Sequence, residues 1–496
     1  MRRIFQYAFI LAGLVVTPLS AGAADLESAL ELYQSENYVE AAPAFFEVMR
    51  RDPNSDRRDQ AEIYLADSLA KLKFYGAAYA YYQDIYKAGR TNRYYLNAAE
   101  GLLDLQTDLH DRIFVPNLFN EKLDTKGLAQ LDQDRIAQVN YMLGELHYRR
   151  NKLRDAAAFL EYVPTDSNLS PKAKYLEGLI QVRKNRPKKA REIFEGVISS
   201  VPADSDFREK LRVRNASLLA LGRLMYGVAN YDASSHYYGE IPRGSQFWFQ
   251  SMYENAWSYY KQENYGRALG ELHSITAPYF ARHHMPEAYV IQGTAYFVAC
   301  QWDRVRRSVD MFKTTYFPML EGFSRYMKER KKPDAYFLDV IHGGTDLLAG
   351  ELASEVRRSQ TFRDYYYHFK HLEWELAEIA TNDMWRGTKF GDDLTAWVQS
   401  ELDDLKQVVG VWTKRQLRFR LKNLKAFKGQ IDILDFEVTD AEATWLEQGR
   451  EILKGRRARL PRPAIPNDQW QHWRFNKEYW KGELGYFQHT IRSECD

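Results

Sequence analysis

Apolar positions recur at i, i+3, i+4 and i+7 through most of the first 318 residues, the spacing of helices that bury one face. Short polar turns interrupt them. One turn phrase comes back: QENYGRALGELHSI at 262–275 repeats the opening of SENYVEAAPAFFEV at 35–48. Aligning on that phrase brings out seven copies of one order. A small residue leads: Ala29, Ala66, Gly144, Gly178, Gly222, Ala256 and Gly293. Twelve positions on stand Ala41, Ala78, Ala156, Ala190, Ser234, Ala268 and Val305. Large residues follow four later at Phe45, Tyr82, Leu160, Phe194, Tyr238, Leu272 and Val309. Val48, Ile85, Val163, Val197, Ile241, Ile275 and Phe312 come next. The copies are near 34 residues apart or modestly longer, with one gap of 78.

This order describes two antiparallel helices packed face to face. A small residue on each lets the backbones approach, and a large residue on the second fills the groove alongside. Tyr38, Tyr75, Leu153, Tyr231, Tyr265 and Trp302 cover the loop ends, and Pro53 and Pro202 stop second helices. A helix pair cannot bury its apolar face alone, so the copies must stack. The gap of 78 is expected to hide a degenerate copy around Gly101, Leu105 and Ile113, and Val305 predicts a looser or transitional last pair. The small–Tyr–Ala–Phe–Pro order resembles the tetratricopeptide repeat, which implies an all-α, right-handed superhelix of about seven to eight helix pairs over 24–318.

Beyond Pro318 the period stops. Residues 351–386 read as one helix with a stripe at Phe362, Tyr365, Tyr366, Phe369, Leu372, Leu376 and Ile379. A second helix is predicted over 392–428, pairing with the first, and a third over 439–458 with Thr439 as N-cap and Glu442 three residues on. Thus 319–460 reads as a long-helix extension. At 461–496, three early prolines and a crowd of aromatics predict an extended, non-helical tail packed on the array.

The N-terminus has Arg2 and Arg3, an apolar run from Ile4 to Leu19 and Ala21-Gly22-Ala23, which predicts a signal peptide over 1–23 cleaved after Ala23. The expected location is periplasmic. In an oxidising compartment the two cysteines, Cys300 and Cys495, form one disulfide or remain two thiols. Formal net charge is +2, which argues against nucleic-acid binding through bulk charge. Thirty-four tyrosines and eleven tryptophans are a composition of helical repeats and binding surfaces.

Constellations for catalysis are weak. His342-Gly343-Gly344 has no G-x-S-x-G partner and reads as a turn. Gly387-Thr388-Lys389 lacks phosphate-loop spacing. His368, His371 and Glu375 share one helix face and would suit a metal, against the simpler reading of a solvated polar face. His283-His284 read as a loop. No cofactor is expected and the chain reads as a non-enzyme. Residues 414–428 carry seven Lys/Arg and no acid, with Leu417, Leu421 and Leu424 on one side. That helix suits an anionic membrane surface or an acidic partner, or simply packs on its Leu side.

By the repeat register, first helices would present Glu145, Tyr148, Arg149, Arg183, Arg223, Tyr226, Tyr253, Trp257, Tyr260 and Lys261 to one groove. Alternating aromatic and cationic side chains suit an extended or helical protein segment with acidic residues. The aromatic tail is the competing occupant. Tyr253-Glu-Asn-Ala-Trp257, Ala268-Leu-Gly-Glu-Leu, Ala277-Pro-Tyr-Phe, Pro286-Glu-Ala, Cys300-x-Trp-Asp and the closing Phe475-x-x-Glu-Tyr-Trp-x-x-Glu-Leu-Gly-Tyr resemble exported tetratricopeptide proteins of myxobacteria and their relatives. That group includes periplasmic components of the adventurous gliding-motility machinery. The resemblance implies a scaffold in an envelope complex; the alternative is a cell-wall factor binding peptidoglycan.

Overall fold

The computed structural model describes residues 25–51, 56–280, 283–449, 465, 467–473, 475 and 478–495. The leader read at 1–23, Pro53 and most of the proline run lie outside the described residues. Within them every regular element is helical. The chain forms two compact units, one of residues up to Leu102 with Glu375–Val398, the other of Leu103–Trp374 with Gln399 onward.

Helices come as antiparallel pairs. In order they are α1 (Leu26–Gln34) with α2 (Tyr38–Arg51), α3 (Asp56–Lys71) with α4 (Tyr75–Ala88), and α5 (Tyr95–Asp108) with α6 (Phe114–Glu121). After the single turn α7 (Thr125–Leu128) follow α8 (Gln133–Arg149) with α9 (Leu153–Glu161) and α10 (Ser170–Arg183) with α11 (Pro187–Ser200). Then come α12 (Arg208–Gly227) with α13 (Tyr231–Gly239), α14 (Trp248–Lys261) with α15 (Tyr265–Ile275), and α16 (Pro286–Val298) with α17 (Trp302–Glu329). The remainder is α18 (Pro333–Ile341), α19 (Gly350–Arg357), α20 (Gln360–Thr381) and α21 (Lys389–Glu447).

One turn recurs inside these pairs. Among the described residues, the eight non-glycine residues with positive φ are Glu36, Lys73, His110, Asn151, Asn185, Ala229, Glu263 and Cys300, one per pair. Each donates its N–H to the carbonyl three residues back, and the next residue donates to the carbonyl five before itself. Glu263 bonds Tyr260 at 3.0 Å and Asn264 bonds Tyr259 at 2.9 Å; Cys300 and Gln301 repeat this on Phe297 and Tyr296. The pattern satisfies two carbonyls at the end of each first helix. It also explains the repeated phrase. Glu263 takes the left-handed position, Asn264 Oδ1 accepts from Arg267 N–H to cap α15, and Tyr265 starts the second helix. The turn at His110 marks the degenerate copy expected in the 78-residue gap.

Packing follows the register. A Cβ on Gly144, Gly178 or Gly222 would fall 2.7, 2.4 and 2.4 Å from Leu160, Phe194 and Tyr238, the large residues sixteen positions on. Ser234 replaces the usual Ala because its hydroxyl has a partner: it donates to the Gly222 carbonyl at 2.8 Å. Gly101 departs from the rule, meeting Tyr82 of the preceding second helix. Gly293 departs too, receiving Leu434 of α21. Val305 is fully buried rather than loosely packed, since α21 adds Leu424, Ile431, Leu434 and Val438 to the same core.

Three expected helix bounds need correction, at 351–386, at 428 and at 439. Pro318, where the repeat period stops, does not itself end a helix: α17 runs through it to Glu329, because Phe312, Tyr316, Phe323 and Tyr326 remain buried along one stripe. The single helix read at 351–386 is two, parted at Arg358–Ser359, where the Ser359 hydroxyl accepts from Phe362 N–H. No helix starts at Thr439. It lies inside α21 with its hydroxyl donating to the Asp435 carbonyl at 2.7 Å, while Glu442 pairs with Arg306. The buried stripe of Leu424, Ile431, Leu434 and Val438 continues unbroken, so nothing ends the helix at 428. As expected, α20 and α21 do meet each other, Tyr365 lying edge-on to Trp412 at 5.6 Å.

Two substitutions test the scheme. Gly178→Ala forces a Cβ against the Phe194 ring and is expected to destabilise by ~1–3 kcal/mol. Ala229→Gly relieves a left-handed alanine (φ 58°) and is expected to stabilise by ~1 kcal/mol. Denaturant melts of both variants check the opposite signs.

Candidate functional site

The candidate surface is the first-helix face of the second unit, carried by α8, α10, α12 and α14. Hydrogen bonds along it step from one pair to the next. Arg149 donates to the Arg112 carbonyl at 2.9 Å and Arg150 to Asn117 at 2.6 Å. Arg183 reaches Asn151 at 3.2 Å, and its guanidinium lies 4.2 Å over the Tyr148 ring. Arg223 forks onto Glu254 at 2.8 and 2.6 Å. Trp257 Nε1 donates to Glu287 at 2.9 Å, and Gln262 donates to the Tyr231 carbonyl at 2.8 Å.

These contacts sort the predicted residues. Arg149, Arg183, Arg223 and Lys261 are exposed, while Tyr148, Tyr226, Tyr253, Trp257 and Tyr260 are half-buried. Tyr226 meets Tyr231 edge-on at 5.4 Å, and Tyr260 meets Trp257 and Tyr265 at 5.7 and 5.5 Å. Tyr253 packs against the core beneath α14. Burial raises Tyr148, Tyr226 and Tyr260 above the usual phenol range, so they remain neutral. Arg223 is not a free cation, because its Nε and one Nη both donate to Glu254. Sequence spacing overlooked Glu254 and Glu287, although each lies about one repeat beyond the residue it pairs with.

Glu145 is engaged as well. Arg112, from the turn before α6, binds Glu145 on one side and Asp364 of α20 at 2.8 Å on the other. Arg363 of α20 reaches Gln246 at 3.2 Å. The chain's own α20 therefore touches this face at α8 and at the turn before α14. Arg183 and Lys261 remain exposed along the row.

The described part of the tail is not the occupant. It lies along second helix α15, where two glycines admit its backbone. A Cβ on Gly270 would fall 1.8 Å from the Phe487 carbonyl oxygen, and one on Gly266 2.6 Å from that of His489. His489 N–H donates to the Gly266 carbonyl at 2.9 Å, and Gly485 N–H to the Ser274 hydroxyl at 2.8 Å. His273 projects from α15 into a ring cluster of Phe475, Tyr479, Phe487 and His489. Beyond it, Glu494 N–H donates to the Ala299 carbonyl, and Cys495 is disulfide-bonded to Cys300 with Cα atoms 5.0 Å apart.

The metal candidate does not assemble. His368 is buried beside Asp111 at 3.8 Å and Glu401 at 3.2 Å, with Asp111 itself accepting from the N–H groups of Ile113, Phe114 and Val115 to cap α6. His371 meets the rings of Tyr367 and Trp374. Glu375 accepts from the N–H groups of Gly76 and Ala77 at 2.8 and 3.1 Å, capping α4. All three serve helix ends and packing, not one solvated face. Among the described residues no three His, Cys, Asp or Glu side chains are arranged to hold a metal ion. Gly343 and Gly344, both left-handed, end α18 as a turn. Thr388 caps α21 by accepting from Gly391 N–H. His283 packs against Phe249 with the rings tilted and their centroids 4.0 Å apart.

No family model and no curated protein matches the chain. Among solved structures, a tetratricopeptide repeat protein from Parabacteroides merdae ATCC 43184 is similar over 58% of this chain and 91% of its own, with 12% identity and a TM-score of 0.25. The repeat register described here stands on this chain's own turns and contacts.

Acid is expected to loosen the tail. Burial pushes His273 down to about 4; His489 falls to about 4 through burial, then the neighbouring His273 and Arg304. Unfolded histidines titrate near about 6.5, so the released tail binds more protons between these values. The stabilisation is complete above about 6.5, drains away as pH falls, and levels off below about 4. Protection factors of amides 485–495, taken relative to intrinsic exchange at each pH, should fall over that window. His273→Phe, which removes one of the two titrating groups, should reduce the dependence by about half.

Proposed function

We propose that the protein is a non-enzymatic adaptor, exported to the periplasm, whose first-helix face between Arg183 and Lys261 holds an acidic segment of a protein partner in an envelope complex of the gliding-motility kind. One observation carries this reading. The exposed cations Arg183 and Lys261 border half-buried Tyr148, Tyr226, Trp257 and Tyr260 on successive first helices. Arg183 lies 4.2 Å over the Tyr148 ring with Nη1 donating to Asn151, which pre-orders its guanidinium so that the remaining N–H groups can meet a carboxylate. Rigid aromatic area beside such cations is the composition of interface hot spots. The Cys300–Cys495 link supports export, since such bonds persist in oxidising compartments.

Crosslinking capture from intact cells tests it. Arg183→Glu combined with Lys261→Glu should reduce recovery of the partner at least tenfold, with an unchanged thermal melt. Undiminished capture by the folded double variant overturns the groove. Retention on purified sacculi, with no protein captured, would favour the cell-wall alternative.

A further inference from the structure

We propose that the outer face of α21 from Val411 to Lys425, with the turn at Lys331–Lys332, docks on a surface of anionic phospholipid headgroups. This surface is distinct from the first-helix face. Seven Lys/Arg and no acid occupy 414–428, but the structure uses them differently. Leu417 and Leu424 are buried, so the apolar side of this helix is not available for insertion. Arg420 turns inward toward Gln416 and the Glu355 carbonyl, and burial depresses its pKa. Lys428 binds Asp432 at 2.5 Å. Lys414 covers the Tyr336 ring at 5.1 Å.

Four cations remain on the solvent side: Arg415, Arg418, Lys422 and Lys425. Their 3-4-3 spacing puts them on one face of a helix, over about 15 Å of its length. None has a carboxylate partner among the described residues. Between them stands Phe419, 61% exposed, with Val411, 49% exposed, just over two turns earlier on the same side.

A second segment completes the patch. Gly410 admits the Pro333 carbonyl oxygen, which a Cβ would approach to 2.0 Å. That contact and Tyr336 beneath Lys414 bring the exposed Lys331 and Lys332 beside the start of the strip. Of the nearby acids, Asp339 is paired with Arg330 at 2.7 and 2.6 Å, Glu329 lies by Arg325, and Asp334, half-buried at the start of α18, stands beside Gly410. Six exposed cations against that one carboxylate, on two stretches some eighty residues apart in sequence, give one surface of excess positive charge.

The geometry selects the occupant. The outer side of a single helix offers no groove to hold a peptide. An acidic peptide would meet the cations and leave Phe419 and Val411 in water. A headgroup layer meets both at once: phosphates take the cations, and the ring enters the interfacial region.

Co-sedimentation of the purified protein with vesicles tests this. Phosphatidylcholine vesicles should retain little protein. Adding phosphatidylglycerol should produce binding that weakens with salt. Arg415→Glu, Arg418→Glu and Lys422→Glu together should reduce the partition coefficient at least about a hundredfold. Lys331→Glu with Lys332→Glu is the second variant, on a separate element, and should weaken binding about tenfold or more. Phe419→Ser should weaken it with the salt dependence kept. Equal binding to neutral vesicles overturns the proposal. So does anionic binding that both folded charge variants retain, or capture of soluble polyglutamate without capture of vesicles.

Discussion

A backbone constraint underlies the array: each helix pair must reverse direction over a residue held in the left-handed region. Eight non-glycine residues accept that conformation, from Glu36 to Cys300. Each costs roughly 1 kcal/mol in isolation. Two carbonyls satisfied at every turn, and the interhelical packing that the turn permits, offset the cost. Only when the chain reverses this tightly can Gly144, Gly178 and Gly222 lie against Leu160, Phe194 and Tyr238. The side chains that knit successive pairs, such as Arg183 to Asn151 and Arg223 to Glu254, depend in turn on that spacing.

Local periodicity was readable because it is local. The positions expected to be small or large are buried along the pairs, and the hidden copy near Gly101 has its own turn at His110. Readings failed where a distant segment decides. Thr439 has the residue type of an N-cap, yet α21 runs through it because Ile431, Leu434 and Val438 are claimed by the α16–α17 core. α17 runs through Pro318, where a continuous buried stripe outweighs one missing N–H. Of the groove residues, periodicity found the faces and not the partners. Arg112 and Asp364 lie more than two hundred and fifty residues apart, and no spacing rule joins them.

The same long-range logic governs the buried carboxylates. Asp111 and Glu375 both cap the starts of second helices, α6 and α4, where unpaired N–H groups and the helix dipole favour an anion. His368, Asp111 and Glu401 look from their residue types like the makings of a metal site. Their geometry is that of a structural polar network, closed around helix ends.

The bond between Cys300 and Cys495 has a mechanical meaning. It closes 195 residues into a covalent ring that includes everything from α17 to the tail. Tension applied at the last residue is delivered straight to the turn of the eighth helix pair, bypassing α21 altogether. An element inside the ring can shift or unfold without lengthening the load path.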